Sequence, residues 1–184
     1  MKIEPNIEKR NELFKLFKSK KYSELDIELL KLQKEFPKSI FLLILHGNVS
    51  NELKDYKKAI NSFKKIIQLN SNFADAHYNL GIIYKNLGQL ENAINYYNNC
   101  ININRNKYEA HNNLGNIYRD KHQLNLAVKH YLMCLQINPN YIIALQNFGI
   151  CLQNYKFIEN SEVIDQQILN LLNQNKILRP VDII

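Results

Sequence analysis

Turn-forming residues are scarce in this chain. Five glycines and four prolines stand among 184 residues, under half the usual combined share of about 12%. A many-stranded sandwich or barrel needs a turn signal every ~8–12 residues, so the scarcity argues against both architectures, and collagen-like and Pro/Gly low-complexity chains are excluded. Long apolar stretches are also missing. The longest, Ile40–Leu45, is far short of the ~18 residues that suggest a membrane span. No apolar segment follows the opening Met1-Lys-Ile-Glu-Pro, so no secretory signal is read. Cysteine is sparse and odd in number: Cys100, Cys134 and Cys151, with no CxxC pair. This argues against a disulfide framework and for a reducing, cytoplasmic setting.

What is present suffices for a core. Hydrophobic residues make up 46% and charged residues 22%, outside the disordered range. The net charge of +7 is unevenly placed. Residues 1–73 carry 15 Lys/Arg against 9 Asp/Glu, and the rest carry 9 against 8. The N-terminal basic zone comprises Lys15, Lys18, Lys20, Lys21, Lys54, Lys57, Lys58, Lys64 and Lys65. It reads first as a solvated helix surface. With no arginine among these lysines, weak nucleic-acid binding is a disfavoured alternative. Asparagine is abundant, at 28 residues.

One spacing dominates the sequence. Gly47, Gly81, Gly115 and Gly149 are each 34 residues apart. Ala59, Ala93 and Ala127 keep the same step, which Ser161 continues. Phe63, Tyr97 and Tyr131 follow it, as do Ile66, Cys100, Cys134 and Ile168. Fixed-period self-similarity of this kind marks a repeat architecture. Within each period the apolar spacing is helical: Ala76, Leu80, Ile83, Tyr84 and Leu87, then Leu90, Ala93, Ile94, Tyr97, Ile101 and Ile103. Gly88 lies in the break between them, suited to the left-handed conformation that ends a helix. Helices are expected over 74–87 and 90–103, and over 108–121 and 124–137 one period later. Gly81 and Ala93, like Gly115 and Ala127, are expected to be small where paired helices touch. Tyr84 and Tyr97 are expected to fill space between one hairpin and the next. Pro139 follows its helix as a stop.

These columns resemble the tetratricopeptide repeat (TPR) family. Its signature falls on Leu80, Gly81, Tyr84, Ala93 and Tyr97 in 74–107, and on Leu114, Gly115, Tyr118, Ala127, Tyr131, Cys134 and Pro139 in 108–141. Repeat 40–73 keeps Gly47, Ala59 and Phe63 but has His46 and Ser50 for the usual Leu and Tyr. Repeat 142–175 keeps Phe148, Gly149 and Ser161 but has Asp165 in the aromatic column. Repeat 6–39 is the most degenerate, with Leu13 and Leu25 where Gly and Ala are expected. The resemblance implies an all-α, right-handed superhelical solenoid of about five antiparallel helical hairpins over 6–175, followed by an apolar tail, 176–184. The final helix, about 160–173, and that tail are expected to pack on a following domain or a second copy.

The resemblance also implies that the first helix of each hairpin lines a concave face. Asn79, Asn113 and Asn147 share one column there, with Asn11, while Leu45 breaks the series. The column resembles the asparagine ladder of the TPR arm of O-linked N-acetylglucosamine transferase. An amide offers both a donor and an acceptor to a peptide backbone. Tyr78, Asn112, Asn116, Lys85, Arg119 and Gln146 are expected on the same face. The carboxylate-clamping chemistry of some TPR domains is disfavoured, because Ile44, Glu109 and Asn113 stand where cations would be needed and only Asn48 and Asn79 fit. His77 and His111, equivalent in adjacent repeats, read as packing rather than metal ligands. His46 reads as a hydrogen-bonded core residue, and Cys100 and Cys134 as small hydrophobes. No phosphate loop, GxSxG, HExxH or CxxC is present, so no catalytic residue, metal or cofactor is assigned. The expected function is a protein-interaction scaffold for an extended peptide or partner protein. The alternative is the arm of a larger glycosyltransferase, sulfotransferase or methyltransferase, to which such TPR arms are similar.

Overall fold

The computed structural model describes residues 3–153. They form nine α-helices and no strand. The helices are α1 (Ile7–Lys18), α2 (Tyr22–Glu35), α3 (Ile40–Glu52), α4 (Tyr56–Leu69), α5 (Ala74–Asn86), α6 (Leu90–Ile103), α7 (Tyr108–Asp120), α8 (Leu124–Ile137) and α9 (Ile142–Gln153). The expected boundaries fall within one residue of those found in the two repeats where they were read. Ser161, Asp165, Ile168, the final helix and the apolar tail lie outside the described residues. No described helix is long and apolar enough to cross a membrane. The chain groups into two compact units, Met1–Ile103 and Asn104–Ile184.

In the first unit, α1 to α6 form three hairpins. One core gathers Leu13, Leu25, Leu29, Leu42, Leu45 and Val49. The next gathers Leu43, Ala59, Phe63, Ile66, Ala76, Leu80 and Ile83. Side-chain caps start several helices: Asn6 accepts from the Lys9 amide, Ser39 from Leu42 and Asp55 from Lys58. Each satisfies an amide that the helix leaves orphaned. The Ser39 hydroxyl also donates to Glu4.

The turn inside each hairpin is a repeated backbone device. The amides of Lys21, Asp55, Gln89 and Gln123 reach back to the carbonyls of Leu16, Ser50, Tyr84 and Tyr118. This six-to-one bond closes a Schellman motif, which requires a left-handed residue just before the donor. Those residues are Lys20 (φ 57°), Lys54 (φ 61°), Gly88 (φ 72°) and His122 (φ 58°), spaced by one repeat. The break at Gly88 is thus the glycine-bearing member of a conformational column otherwise held by side-chain-bearing residues.

The glycine at each hairpin contact faces an aromatic ring. A Cβ on Gly47 would lie 2.6 Å from Phe63, one on Gly81 2.5 Å from Tyr97, and one on Gly115 2.6 Å from Tyr131. One expectation is corrected here: Gly115 is restricted by Tyr131 rather than by Ala127. Tyr97 packs on Gly81 inside its own hairpin. The ring of a residue sixteen positions on reaches across the antiparallel pair, and only a residue without Cβ lets it lie flat. The degenerate first hairpin solves the same contact differently. There Leu13 and Leu29 stand at the corresponding positions, both fully buried. Two medium side chains replace the hydrogen-and-ring pair, a volume exchange that a core tolerates.

The second unit contains α7, α8 and α9. Its core packs Ala127, Tyr131, Cys134 and Leu135 against Ala144, Phe148 and Cys151. Tyr131 lies at 6.2 Å from Phe148, centroid to centroid, so the ring that fills Gly115's space also meets the following helix.

Candidate binding surface and buried polar clusters

The outward faces of the first helices carry the amides read from the sequence. On α5, Ala76, His77, Leu80, Gly81 and Ile83 turn inward, leaving Tyr78, Asn79 and Lys85 half-buried. The Asn79 Nδ2 donates to the Asp75 carbonyl at 2.8 Å, one turn back on its own helix. The Tyr78 ring leans on Tyr97 at 5.8 Å.

In the second unit, the candidate residues differ in what they can offer. Asn112 is buried, and its Oδ1 accepts from Asn147 Nδ2 at 3.1 Å. Asn116 Oδ1 accepts the Tyr131 hydroxyl at 2.7 Å. These amides are therefore partly structural. Asn112 and Asn147 tie α7 to α9, and Asn116 satisfies the polar end of a buried ring. Asn113 remains half-buried on α7, and Gln146 is exposed on α9. Two aliphatic side chains flank the α9 amides, with Ile143 52% and Ile150 50% exposed. Arg119 pairs with Asp120 at 3.0 Å, and Lys107 lies 4.0 Å from Glu109. Both cations are matched locally, which fits a face built on amides rather than on fixed charge.

Buried polar clusters were only partly legible. His46 does sit in the core, 6% exposed. Its Nδ1 is 3.1 Å from the Ser62 hydroxyl and its Nε2 is 3.1 Å from Asp26 Oδ1. Lys58 reaches Asp26 at 3.2 Å and Asp55 at 3.4 Å. The set joins α2, α3 and α4. Burial lowers the His46 pKa despite the opposing pull of Asp26. Serine, histidine and aspartate meet here, but the arrangement is not a hydrolase triad. There the serine takes Nε2 and the carboxylate Nδ1; here the order is reversed and Ser62 is buried. Neither Asp26 nor Ser62 carried a sequence signal, because neither recurs at the 34-residue step: Ile60 follows Asp26, and Glu28 and Tyr96 flank Ser62.

The His77 and His111 rings each meet an aromatic ring of their own hairpin. His77 stacks near Tyr96 at 6.0 Å, and its Nε2 lies 3.2 Å from the Ser71 carbonyl. Tyr96 in turn stacks on Tyr84 at 5.2 Å. His111 meets His130 instead, Nδ1 to Nδ1 at 3.2 Å, and His130 stacks on Tyr118 at 5.3 Å. Burial pushes the His130 pKa down to about 4, with His111 and Lys129 adding repulsion, and burial lowers His111 as well. All three cysteines are free and buried. Burial drives the Cys134 thiol up to about 12 and raises Cys151, so they behave as small hydrophobes.

A 34-residue helical hairpin, closed by a left-handed turn and locked by a glycine–aromatic contact, defines an all-α helical-repeat protein of the solenoid class. Comparison with known families gives the particular one. Tetratricopeptide repeat models match residues 74–107 and 108–141, and a TPR repeat model matches 47–88. These matches span more than half of the chain, which belongs to the tetratricopeptide repeat family. No curated protein matches the sequence. Among solved structures, MamA is similar at a TM-score of 0.72 and 20% identity, covering 95% of each chain. YrrB, described as a TPR protein with an unusual peptide-binding site, gives 0.64 and 20%, covering 94% of this chain and 88% of that one. The first TPR of Spaghetti (RPAP3), bound to the HSP90 peptide SRMEEVD, gives 0.59 and 22%, covering 62% and 91%. Likeness at these identities establishes the fold.

Proposed function

We propose that this chain is a protein-interaction scaffold that binds extended peptide segments on the outward faces of its first helices. The observation that carries the reading is the α7–α9 face. Gln146 and Asn147 present amides on α9 between the exposed Ile143 and Ile150, Asn113 presents one on α7, and the Arg119 charge is matched by Asp120. Amides pair with any peptide backbone, and aliphatic side chains add sequence-tolerant contact area. Asn79 and Tyr78 offer the same chemistry on α5. The peptide-binding descriptions of YrrB and of the Spaghetti domain support this reading. Buried free thiols suit the cytoplasmic setting that goes with it.

Magnitudes set the expected strength. A few amide contacts at roughly 0.5–1.5 kcal/mol net each must also offset the entropy of ordering the peptide. Affinity per site is therefore modest, and tight binding needs several anchors. Screening a peptide array, followed by fluorescence anisotropy on the hits, provides the test. Asn113→Ala with Gln146→Ala should weaken binding by about tenfold, since each tenfold is ~1.4 kcal/mol. Asn147 is unsuitable for this purpose, because its loss would leave the buried Asn112 oxygen without that donor. Equal binding by the double variant would refute the amide surface.

A further inference from the structure

We propose that His111 and His130 form a two-imidazole site for a borderline divalent transition-metal ion, such as zinc or copper. The proposal is independent of the peptide-binding reading. The two Nδ1 atoms already stand 3.2 Å apart. Placing a metal at the usual zinc–nitrogen distance of about 2.0–2.1 Å from both gives an N–metal–N angle of roughly 100°. That is close to the tetrahedral value, so the separation of the two nitrogens matches the bite of a chelate. The helix pair α7 and α8 sets the separation, and the near-parallel Tyr118 ring, tilted by 13°, orients His130.

The neighbouring repeat supplies an internal contrast. Positions 77, 84 and 96 correspond to 111, 118 and 130 by the 34-residue step. That cluster keeps the histidine and the stacked tyrosine but has Tyr96 where His130 stands. Packing is therefore satisfied by a tyrosine, and the second imidazole adds a nitrogen ligand to a position that does not need one for stacking. Burial favours neutral rings at both histidines, which is the state that binds metal. One ring now donates its Nδ1 proton to the other. On metal binding that ring shifts to the Nε2–H tautomer, and both Nδ1 lone pairs face the ion with no net proton release. Imidazole nitrogen favours zinc, copper and nickel over magnesium and calcium, with copper tightest. No group of three or more His, Cys, Asp or Glu converges among the described residues. The remaining coordination positions belong to water or to a donor from a bound partner. Lys129 is the neighbouring cation and works against the ion.

Isothermal titration of the full chain with zinc chloride and copper chloride, with magnesium chloride as control, tests the proposal. One ion per chain should bind, copper more tightly than zinc, with no response to magnesium. His130→Tyr copies the neighbouring repeat and keeps the ring stack; His111→Leu copies Leu43 and Leu145 at the same repeat position. Each should lower affinity at least about tenfold, the scale of losing even an outer-shell partner. Circular dichroism checks that the variants remain folded. Nitrogen-15 NMR of wild-type imidazoles gives a readout that needs no variant: zinc should shift both Nδ1 resonances together. Overturning results are wild-type affinity in His130→Tyr, zinc shifts confined to His77 or His122, or no binding at millimolar zinc.

Discussion

At the scale of single residues, two backbone requirements explain most of the repeat signature. The first is the close approach between a glycine and a ring. Gly115→Leu should destabilise by about 1–3 kcal/mol through overpacking, because Tyr131 is fully buried between Gly115 and Phe148 and cannot swing aside. Urea denaturation followed by circular dichroism measures the effect, and an unchanged midpoint would contradict the contact. The second requirement is the left-handed turn. Gly88 has open space around its Cβ position, so Gly88→Ala meets only the conformational penalty of roughly 1 kcal/mol. The opposite change is available at His122 and Lys54, which hold positive φ with full side chains. His122→Gly and Lys54→Gly should each raise stability by about 0.5–1 kcal/mol, less the entropy that glycine adds to the unfolded chain. A lowered melting temperature in both would argue that these side chains contribute more than their backbone costs.

At the scale of helices, polar groups inside the apolar contacts tie particular elements together. The Asp26–His46–Ser62 set joins α2, α3 and α4 at positions where later repeats carry Ile60, Leu80 and Tyr96. Its energetic consequence depends on pH. The folded His46 pKa lies below the ordinary value of ~6.5. Between those two values the unfolded chain binds the proton and the folded chain does not. The contribution is therefore fully present above ~6.5 and is lost as pH falls toward the lowered folded value. Asp26, Lys58 and Lys65 are the charged groups acting on the ring. Urea midpoints measured from pH 7.5 to pH 5 should fall less steeply in His46→Leu than in wild type. Parallel slopes would remove the histidine from the account. The Asn112–Asn147 bond does the equivalent work between α7 and α9. Two amides expected to serve a ligand are thereby recruited to hold the helices that present them.

At the scale of the whole molecule, stability in stacked repeats is a sum of local terms, so different parts of the chain can open separately. The thiols report this directly. Cys100 lies in the unit Met1–Ile103, while Cys134 and Cys151 lie in Asn104–Ile184. All are buried, and the Cys134 thiol is held at about 12, so alkylation requires opening. In moderate urea, mass-resolved thiol labelling should show Cys100 reacting at a different rate from the other two. One common rate for all three would mean that the units unfold together. How much of this was legible in the sequence follows from the range of the interactions involved. Helix limits over 74–103 and 108–137 were readable to within a residue, because apolar spacing is a local property restated at every period. Family membership was readable for the same reason. The identity of Gly115's neighbour was not, since Ala127 and Tyr131 are both periodic and only the crossing of α7 over α8 selects the ring. Nor was the left-handed turn column, because Lys20, Lys54 and His122 carry no compositional mark of positive φ. The partners of Asn112, Asn116 and His130 depend on which helix faces lie against each other. A column of like residues names a face of a helix, and tertiary packing alone decides whether an amide or imidazole on that face meets solvent, a ligand or its own neighbour.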